Sequence, residues 1–478
     1  MHKTFLSTIL IFLSYTAFSQ PAVEQIINNP ALKTATVGIS VVDISTGKSV
    51  ASYNSEKALT PASALKLVTT ATALEVLGDN YRYKTEVAFD LNDPSRILVI
   101  GSGDPTLGSE KFRENPNVFF SNSVQQLRKT LSKSTAYSIY VVDNLFGYDG
   151  VSPAWTWIDM GNYYASGSYG ISVFDNSYRL FFNTTDINNP VILRTEPHIE
   201  GLTFYNELTT NNTGRDNGYI YGAPFSFDRA VRGNIPGGRS SFSIRGDIPD
   251  PGLLLGQTLA DYLKKEGYKI GKIETAREDY ISGNMSPLRA SQKFKVGKSV
   301  FTQMSRPMKE IVREINVESN NHFAEHVIRT IGSSSRININ DNVLEEAIEY
   351  VGEFWKSKGL ETSSLNIYDG SGLAPQNAVS PKFLTNLLLY MYNDSRYSDA
   401  FISSLPRVGQ EGTLRSFMTN TKYNGKIIAK SGSIGGVQCY AGYLIDDDKK
   451  YAFSIMINKF NGTRPQVRSA IERFLLSL

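Results

Sequence analysis

The sequence predicts a mixed α/β chain of the α+β kind, with a long β-rich block between two ends that combine helices and strands. Three observations carry this. Strand-like alternation around a turn, then a strongly apolar helical segment, open the chain. Short β-like runs separated by Gly, Asn, Asp and Pro dominate from about Tyr83 to about Tyr280. Helical periodicity returns after residue 300, and the chain closes on an antiparallel hairpin and an amphipathic helix. With 478 residues there is chain enough for a sizeable core and for more than one domain.

The first twenty residues, MHKTFLSTILIFLSYTAFSQ, place Lys3 before an apolar run from Phe5 to Phe18 and then small residues. They read as a secretory leader over 1–19, cut near Ser19 or Gln20, so an exported, periplasmic protein is expected. No cysteine lies near the cut, which argues against a lipid anchor, and the apolar run is short for a membrane span. Thr34 to Asn54 then alternates around the turn Ser45-Thr46-Gly47-Lys48, a hairpin signature. In LTPASALKLVTTATALEVLG, Thr60 is the expected N-cap, Pro61 the first helical residue and Gly78 the stop.

Strands are expected at YKTEVAF, RILVIGSG, SIYVVDN, YRLFFN and PVILRT. Helices follow at MKEIVREINVE, HFAEHVIRTIG and NVLEEAIEYVGEFWKSKG. GGVQCYAGYLI and YAFSIMI, joined by DDDKK, form the closing hairpin. The final helix carries Val467, Ile471, Phe474 and Leu478 on one face. That face would suit packing on the hairpin, the preferred reading, or peripheral membrane contact.

Composition is that of an ordered globular chain, 41% hydrophobic and 20% charged. A net charge of only +3 without a long basic run argues against nucleic acid as a partner. Cys439 is the only cysteine, so stability must come from packing rather than disulfides.

Two chemistries compete in Glu318–His326, ESNNHFAEH. His322 and His326 with Glu325 have the H-x-x-E-H spacing of a zinc-peptidase helix. A zinc site needs a third ligand, and the remaining histidines are His2 and His198, in the leader and the β-rich block. The zinc reading is therefore disfavoured, and no cofactor or metal is expected. The alternative is that Ser319-Asn320-Asn321 is an S-x-N element of a serine hydrolase.

Ser63-Ala64-Leu65-Lys66 supplies S-x-x-K at the start of a helix. Three residues along a helix places Lys66 on the face of Ser63, close enough to take its proton. The Ser63 N–H is among the first-turn donors that can face a developing oxyanion. Ser45-x-x-Lys48 matches the same pattern but sits in a turn. Lys430-Ser431-Gly432-Ser433 stands before the closing hairpin, where a cation, a hydroxyl and a glycine can dock an anionic substrate end.

In this order, S-x-x-K, S-x-N and K-S-G resemble the penicillin-recognising serine hydrolases. GSGDPTL, WTWIDMGNYYASG, SRPMKEIVREINVESNNHFAE and DGSGLAPQNAVSP narrow the resemblance along nearly the whole mature chain. It is to the class C low-molecular-mass penicillin-binding proteins, the D-alanyl-D-alanine carboxypeptidase/endopeptidase family.

The resemblance implies a penicillin-binding/β-lactamase-like transpeptidase domain, an antiparallel sheet flanked by helices. That domain is expected over 20–82 and 293–478, interrupted by an insertion over 83–292 of two nested subdomains. It further implies Ser63 as nucleophile, Lys66 as base and Ser319 as proton relay. Asn321, Lys430, Ser431, Gly432 and Ser433 would bind substrate, with the backbone N–H groups of Ser63 and Ser433 forming the oxyanion hole. Lys430 is expected to stay charged and, with burial, to lower the pKa of Lys66. Partners would be peptidoglycan stem peptides and, as covalent inhibitors, β-lactam antibiotics.

Two positions depart from the family pattern: Ser431 stands where Thr is usual, and Asn320 where Asp is frequent. A β-lactamase would need a Glu-x-x-Leu-Asn loop, and Glu361 to Asn366 is one residue too long. A catalytically inactive wall-binding protein would be free to lose Lys66 or Ser319. No G-x-S-x-G elbow is present, and the G-K-S runs at Gly47 and Gly297 have Val42 and Gln292 where a P-loop needs glycine.

Overall fold

The computed structural model describes residues 21–112, 115–187, 189–224, 226–283, 293–335 and 342–478. The expected leader lies outside them. The chain forms two compact units. One comprises the chain up to Tyr81 with Pro307–Ile331 and Ile348–Leu478; the other comprises Arg82–Arg306 with Gly332–Ala347.

In the first unit, among the described residues, one five-stranded sheet runs in the order Ile427–Ile434, Val437–Ile445, Lys450–Asn458, Thr36–Asp43, Ser49–Tyr53. Every pairing is antiparallel. The period-two alternation of strands sends Ile39, Val41, Phe453, Ile455 and Ile457 into one apolar cluster. The final helix, Arg464–Ser477, buries Val467, Ala470, Ile471, Phe474 and Leu475 in that cluster. Complete burial of Ile471, Phe474 and Leu475 contributes about 1.5–3 kcal/mol each. Its apolar face is therefore spent on the sheet, which removes the peripheral-membrane alternative for this helix. Among the described residues no helix is long and apolar enough to cross a membrane.

Helix Pro381–Asn393 covers the opposite side, packing on Thr36–Asp43 and Lys450–Asn458. Ser380 caps it by accepting from Phe383 N at 3.1 Å, with Pro381 at its first position. Strand Lys450–Asn458 is buried on both faces as a result.

Two local expectations need correction. Thr60 does not cap the helix after Ser63: its hydroxyl donates to Pro375 O at 3.3 Å and its N–H to Asn458 Oδ1 at 2.7 Å. A 3-10 turn, Ala62–Leu65, precedes the α-helix Lys66–Leu77, which ends on Gly78 at φ +86°. The K-S-G segment is not a lead-in to the hairpin. It lies inside an additional edge strand, Ile427–Ile434, which turns through Gly435-Gly436 into Val437–Ile445.

The second unit is less uniformly β than its sequence implies. Among the described residues its five-stranded sheet is mixed, in the order Lys269–Thr275, Ala136–Val142, Arg96–Gly101, Lys84–Phe89, Phe301–Met304. Two three-stranded sheets accompany it. Helices Val118–Leu127 and Pro251–Lys265 pack among them, the latter capped by Asp250 Oδ1 accepting from Leu253 N at 2.8 Å. One continuous apolar cluster, from Val99 through Phe120, Leu180 and Ile220 to Leu255, runs through all three sheets.

The insertion's downstream boundary also moves. Strand Phe301–Met304 pairs with Lys84–Phe89 and so belongs to the second unit, which places the return at Pro307 rather than residue 293. At this neck each unit ties its own ends. Within the second, Ser305 N donates to Tyr83 O at 3.0 Å, and Tyr83 N to Ser305 Oγ at 2.9 Å. Within the first, Met308 N donates to Tyr81 O at 2.8 Å, and Lys309 N to Asp79 O at 3.0 Å.

Candidate active site

The first unit brings the three distant motifs together. Lys66 Nζ donates to Ser63 Oγ at 3.1 Å and to Asn321 Oδ1 at 2.6 Å. Lys430 Nζ donates to Ser319 Oγ at 2.9 Å and to Ser431 O at 2.8 Å. Ser63 and Ser319 are half-buried, whereas both lysines are completely buried. Two hydroxyls thus each carry a buried amine beneath them, and adjacent residues of one motif, Ser319 and Asn321, serve different amines.

Local backbone explains the arrangement. Ser319 has φ +60°, a left-handed conformation unfavourable to a residue with a Cβ. It is followed by Asn320, whose Oδ1 accepts from Phe323 N at 3.1 Å and so caps the helix Asn321–Ser335. The variable middle residue of S-x-N is therefore a cap, a task that Asn and Asp perform equally well. Across from it, a Cβ on Gly432 would lie 2.3 Å from Pro61 O and 3.1 Å from Ser63 N. Glycine at 432 lets the edge strand approach the backbone N–H of Ser63.

Several participants lie in stretches that carry the resemblance but were not expected at the site. Lys66 Nζ also donates to Ser371 O at 2.6 Å. That carbonyl sits in a loop held by two buried carboxylates. Glu325 Oε1 accepts from Gly370 N at 3.0 Å and Ser371 N at 2.8 Å, and Glu325 Oε2 pairs with Arg329 at 2.8 Å. Asp369 accepts from Gly372 N, Ala374 N and Asn377 Nδ2 at 2.6–2.9 Å. The D-G-S-G run announces a turn; it does not announce that a carbonyl of the turn will face a lysine.

Burial lowers the Lys66 pKa to about 7, while the charges of Asp369 and Glu325 oppose that shift. Burial also lowers Lys430 well below the ordinary lysine range, with the neighbouring Lys66 charge adding to it. Desolvation, not Lys430, is thus the main cause of the Lys66 shift. Lys430 is expected to stay charged, and burial together with the Lys66 charge works against that form.

The remaining expected residues take distinct positions. Ser431 Oγ donates to Thr413 Oγ1 at 2.9 Å. The Ser433 hydroxyl is engaged by Arg464 Nη1, whose guanidinium also bonds Gln438 Oε1 at 3.0 Å and Ile434 O at 3.1 Å. Thr413 stands in for what β-branching would do at position 431. Threonine has few χ1 choices, whereas serine rotates freely unless a partner holds it. Thr413→Val should lower kcat/KM about tenfold by freeing that hydroxyl. Adding Ser431→Thr to Thr413→Val should recover most of the loss, and steady-state kinetics of the two variants checks both.

His322 and His326 lie one turn apart with ring centroids 4.5 Å from each other, both buried. Burial holds the His322 pKa down at about 3. The Glu325 carboxylate between them is committed to Arg329 and the Gly370–Ser371 loop. Among the described residues no three His, Cys, Asp or Glu side chains converge on a metal position. Glu361, the nearest sequence match to a β-lactamase deacylation base, is exposed and accepts from Ser363 N at 2.9 Å. Cys439 is buried, and burial pushes its thiol up to about 12, so it is inert.

Comparison with known proteins gives the family and the fold. A family model described as the D-Ala-D-Ala carboxypeptidase 3 (S13) family matches residues 19–478. A D-alanyl-D-alanine carboxypeptidase of Actinomadura sp. (strain R39) is 26% identical over 462 residues, 93% of this chain and 81% of that protein. Penicillin-sensitive carboxypeptidase A of Dictyostelium discoideum is 24% identical over 408 residues, 80% of this chain and 72% of its own. Among solved structures, penicillin binding protein 4 from Haemophilus influenzae superposes with a TM-score of 0.77 at 17% identity. The match covers 95% of this chain and 97% of that one, and shows a common fold.

Proposed function

This chain belongs to the D-Ala-D-Ala carboxypeptidase 3 (S13) family and is a serine-type carboxypeptidase of the penicillin-binding kind; we propose that it trims peptidoglycan stem peptides through an acyl-enzyme on Ser63. The observation that carries this reading is the buried Lys66 amine, 3.1 Å from Ser63 Oγ and with a pKa near neutrality.

In its neutral form Lys66 takes the Ser63 proton as Oγ attacks the carbonyl of the penultimate D-alanine. The oxyanion faces the N–H groups of Ser63 and Ser433, each donor worth roughly 2.7–4 kcal/mol in the transition state. Ser319 passes its proton to the departing amine of the terminal D-alanine as the C–N bond breaks, and the proton that Lys66 took from Ser63 replaces it. Water then cleaves the ester and returns Ser63 to its hydroxyl form. The substrate's terminal carboxylate binds Lys430 and the Ser431 hydroxyl. Its charge raises the pKa of Lys430, and a charged Lys430 then favours the neutral form of Lys66, so substrate docking readies the base. Asn321, which accepts from Lys66, also donates to the substrate backbone through its other amide atom.

Export to the periplasm through the leader over 1–19 fits this substrate. β-Lactams mimic the same acyl donor and would stop at the ester. Endopeptidase action on cross-links is the second arm of the proposal, because the same amide chemistry applies where the leaving amine belongs to a neighbouring stem.

Mass spectrometry of products from purified monomeric and dimeric wall fragments separates these activities: loss of D-alanine reads the carboxypeptidase, conversion of dimer to monomer the endopeptidase. Penicillin should leave a long-lived adduct on the Ser63 peptide. Rapid drug turnover would instead indicate a β-lactamase. Intact folding with neither adduct nor D-alanine release would indicate a wall-binding protein without catalysis.

A further inference from the structure

A cavity of about 350 Å³ opens within the insertion unit, walled by Phe174, Pro116 and Pro197 and by the charged side chains of Glu110, Arg179 and Arg245. Its charged wall lies on the sheet formed by Phe242–Asp247, Ser177–Asn183 and Val191–Glu196. There Arg245 stands directly opposite Arg179, and Arg179 opposite Glu196, in one cross-strand row. Like charges directly opposite each other destabilise a strand pair, so a purely structural row would give each arginine its own carboxylate.

That is not what the row does. Glu196 is taken by Arg194 Nε at 2.7 Å, and Glu110 Oε2 by Arg179 Nη2 at 2.7 Å. Arg245 Nη2 reaches only the same Glu110 oxygen, at 3.8 Å, beyond hydrogen-bonding distance. Arg245 Nε is buried with no hydrogen-bond partner among the described residues, and the guanidinium lies over the Tyr163 ring at 5.4 Å. The other carboxyl in its field, Asp175, is buried and takes the Ser109 hydroxyl at 2.5 Å; burial raises its pKa and makes it a weak counter-ion.

The apolar wall is built at a cost. Phe174, Asp175 and Asn176 have φ of 56°, 56° and 45°, three successive left-handed residues with none of them glycine. Such strain persists only where surrounding structure enforces it, and it gathers at ligand sites. Here Asn176 enforces it, with Oδ1 accepting from Val173 N at 3.0 Å and Nδ2 donating to Gly167 O at 2.9 Å. The result holds the Phe174 ring in the cavity wall.

We propose that this cavity is a second binding site, for a carboxylate-bearing fragment of the wall polymer, with the Arg245 fork taking the carboxylate and the Phe174, Pro116 and Pro197 wall taking the body of the ligand. A planar guanidinium matches a carboxylate bidentately, and the volume is at the lower end of small-ligand sites. The source of the ligand rests on the wall-peptide reading above. Two sources share the chemistry, the lactyl carboxylate of a muramic acid from which the stem peptide has been removed and a free carboxylate of a stem peptide.

The test uses the full chain acylated on Ser63 by benzylpenicillin, titrated calorimetrically with N-acetylmuramic acid, with a stem tetrapeptide, and with N-acetylglucosamine. Saturable heat with either carboxylate and none with N-acetylglucosamine is the expected result, and which of the two binds identifies the source. Arg245→Met should weaken that binding about tenfold or more, with Arg245→Lys between the two because it keeps charge but loses the fork. Unchanged penicillin acylation in both variants certifies their fold. Absence of saturable heat with both carboxylates, equal binding of N-acetylglucosamine, or unchanged affinity in both Arg245 variants overturns the proposal. Failure of Ser63 to acylate is a separate result: it strikes the main-site reading, and the muramic acid titration still decides the cavity.

Discussion

Lys66→Met should slow penicillin acylation of Ser63 by about 10²–10⁴, the contribution of a positioned general base, and Ser63→Ala should abolish the adduct. Stopped-flow or mass-resolved acylation measures both. The second-order rate constant reports the free enzyme, so its pH dependence reads the Lys66 amine directly. On the proposed mechanism the neutral amine is the base. Acylation should therefore be fast above pH 7 and fall as pH drops through the value of about 7 set by burial. A Lys66→Met profile without that limb would identify the amine; a profile that keeps it would assign the titration elsewhere.

Stability should move the same way, for a different reason. The folded-state pKa of Lys66 lies below its ordinary 10.5, so between about 7 and 10.5 the unfolded chain holds a proton that the folded chain has released. This group's contribution to unfolding free energy then rises with pH across that window, by about 1.4 kcal/mol per unit. Lys66→Met should remove that slope from urea titrations.

Glu325→Ala should cost about 3–5 kcal/mol, because it leaves the Arg329 guanidinium buried without its carboxylate. It also strips the acceptor from Gly370 N and Ser371 N, freeing the loop whose carbonyl holds Lys66. Urea unfolding measures the loss. The milder Glu325→Gln separates structure from electrostatics. Since the Glu325 charge opposes the lowering of the Lys66 pKa, its removal should shift the acylation limb to lower pH. A shift to higher pH would contradict the assignment of that charge.

Much of this site was legible in the sequence, and the parts that were not have a common cause. Ser63, Lys66, Ser319, Asn321 and Lys430 could be named because each belongs to a short motif whose spacing has a local meaning. Asp369 takes its donors three to eight residues on, within a turn the sequence does announce. Glu325 acts over long range, through backbone donors 45 and 46 residues away, and no local spacing encodes that. Thr413 is invisible for the same reason, since it meets Ser431 only because two loops converge.

In the insertion the miss was of another kind. DPGLLLGQTLADYLKK has an Asp cap, a first-turn Pro and helical periodicity, yet strand-rich surroundings hid it. Thr60 failed as a cap because its hydroxyl donates to a carbonyl far away in sequence, Pro375 O, at 3.3 Å, so tertiary structure overrode a sound local rule.

The neck at Tyr81 and Pro307 carries a consequence for how the polypeptide assembles. Residues 82 to 306, 225 positions by subtraction, form a detour that must close before the two halves of the peptidase can meet. Ring closure of a flexible tether becomes only slowly harder with length, about 0.6 kcal/mol for each doubling. A detour that has already folded, with Tyr83 and Ser305 pinned together, leaves almost none of that penalty to the peptidase. All of that unit except Gly332–Ala347 precedes Pro307 in the chain, so its early folding would return Pro307 beside Tyr81 before the distal half is made. A polypeptide whose detour is kept from folding should accumulate as an inactive species with Ser63 and Lys66 made and Ser319 still at large.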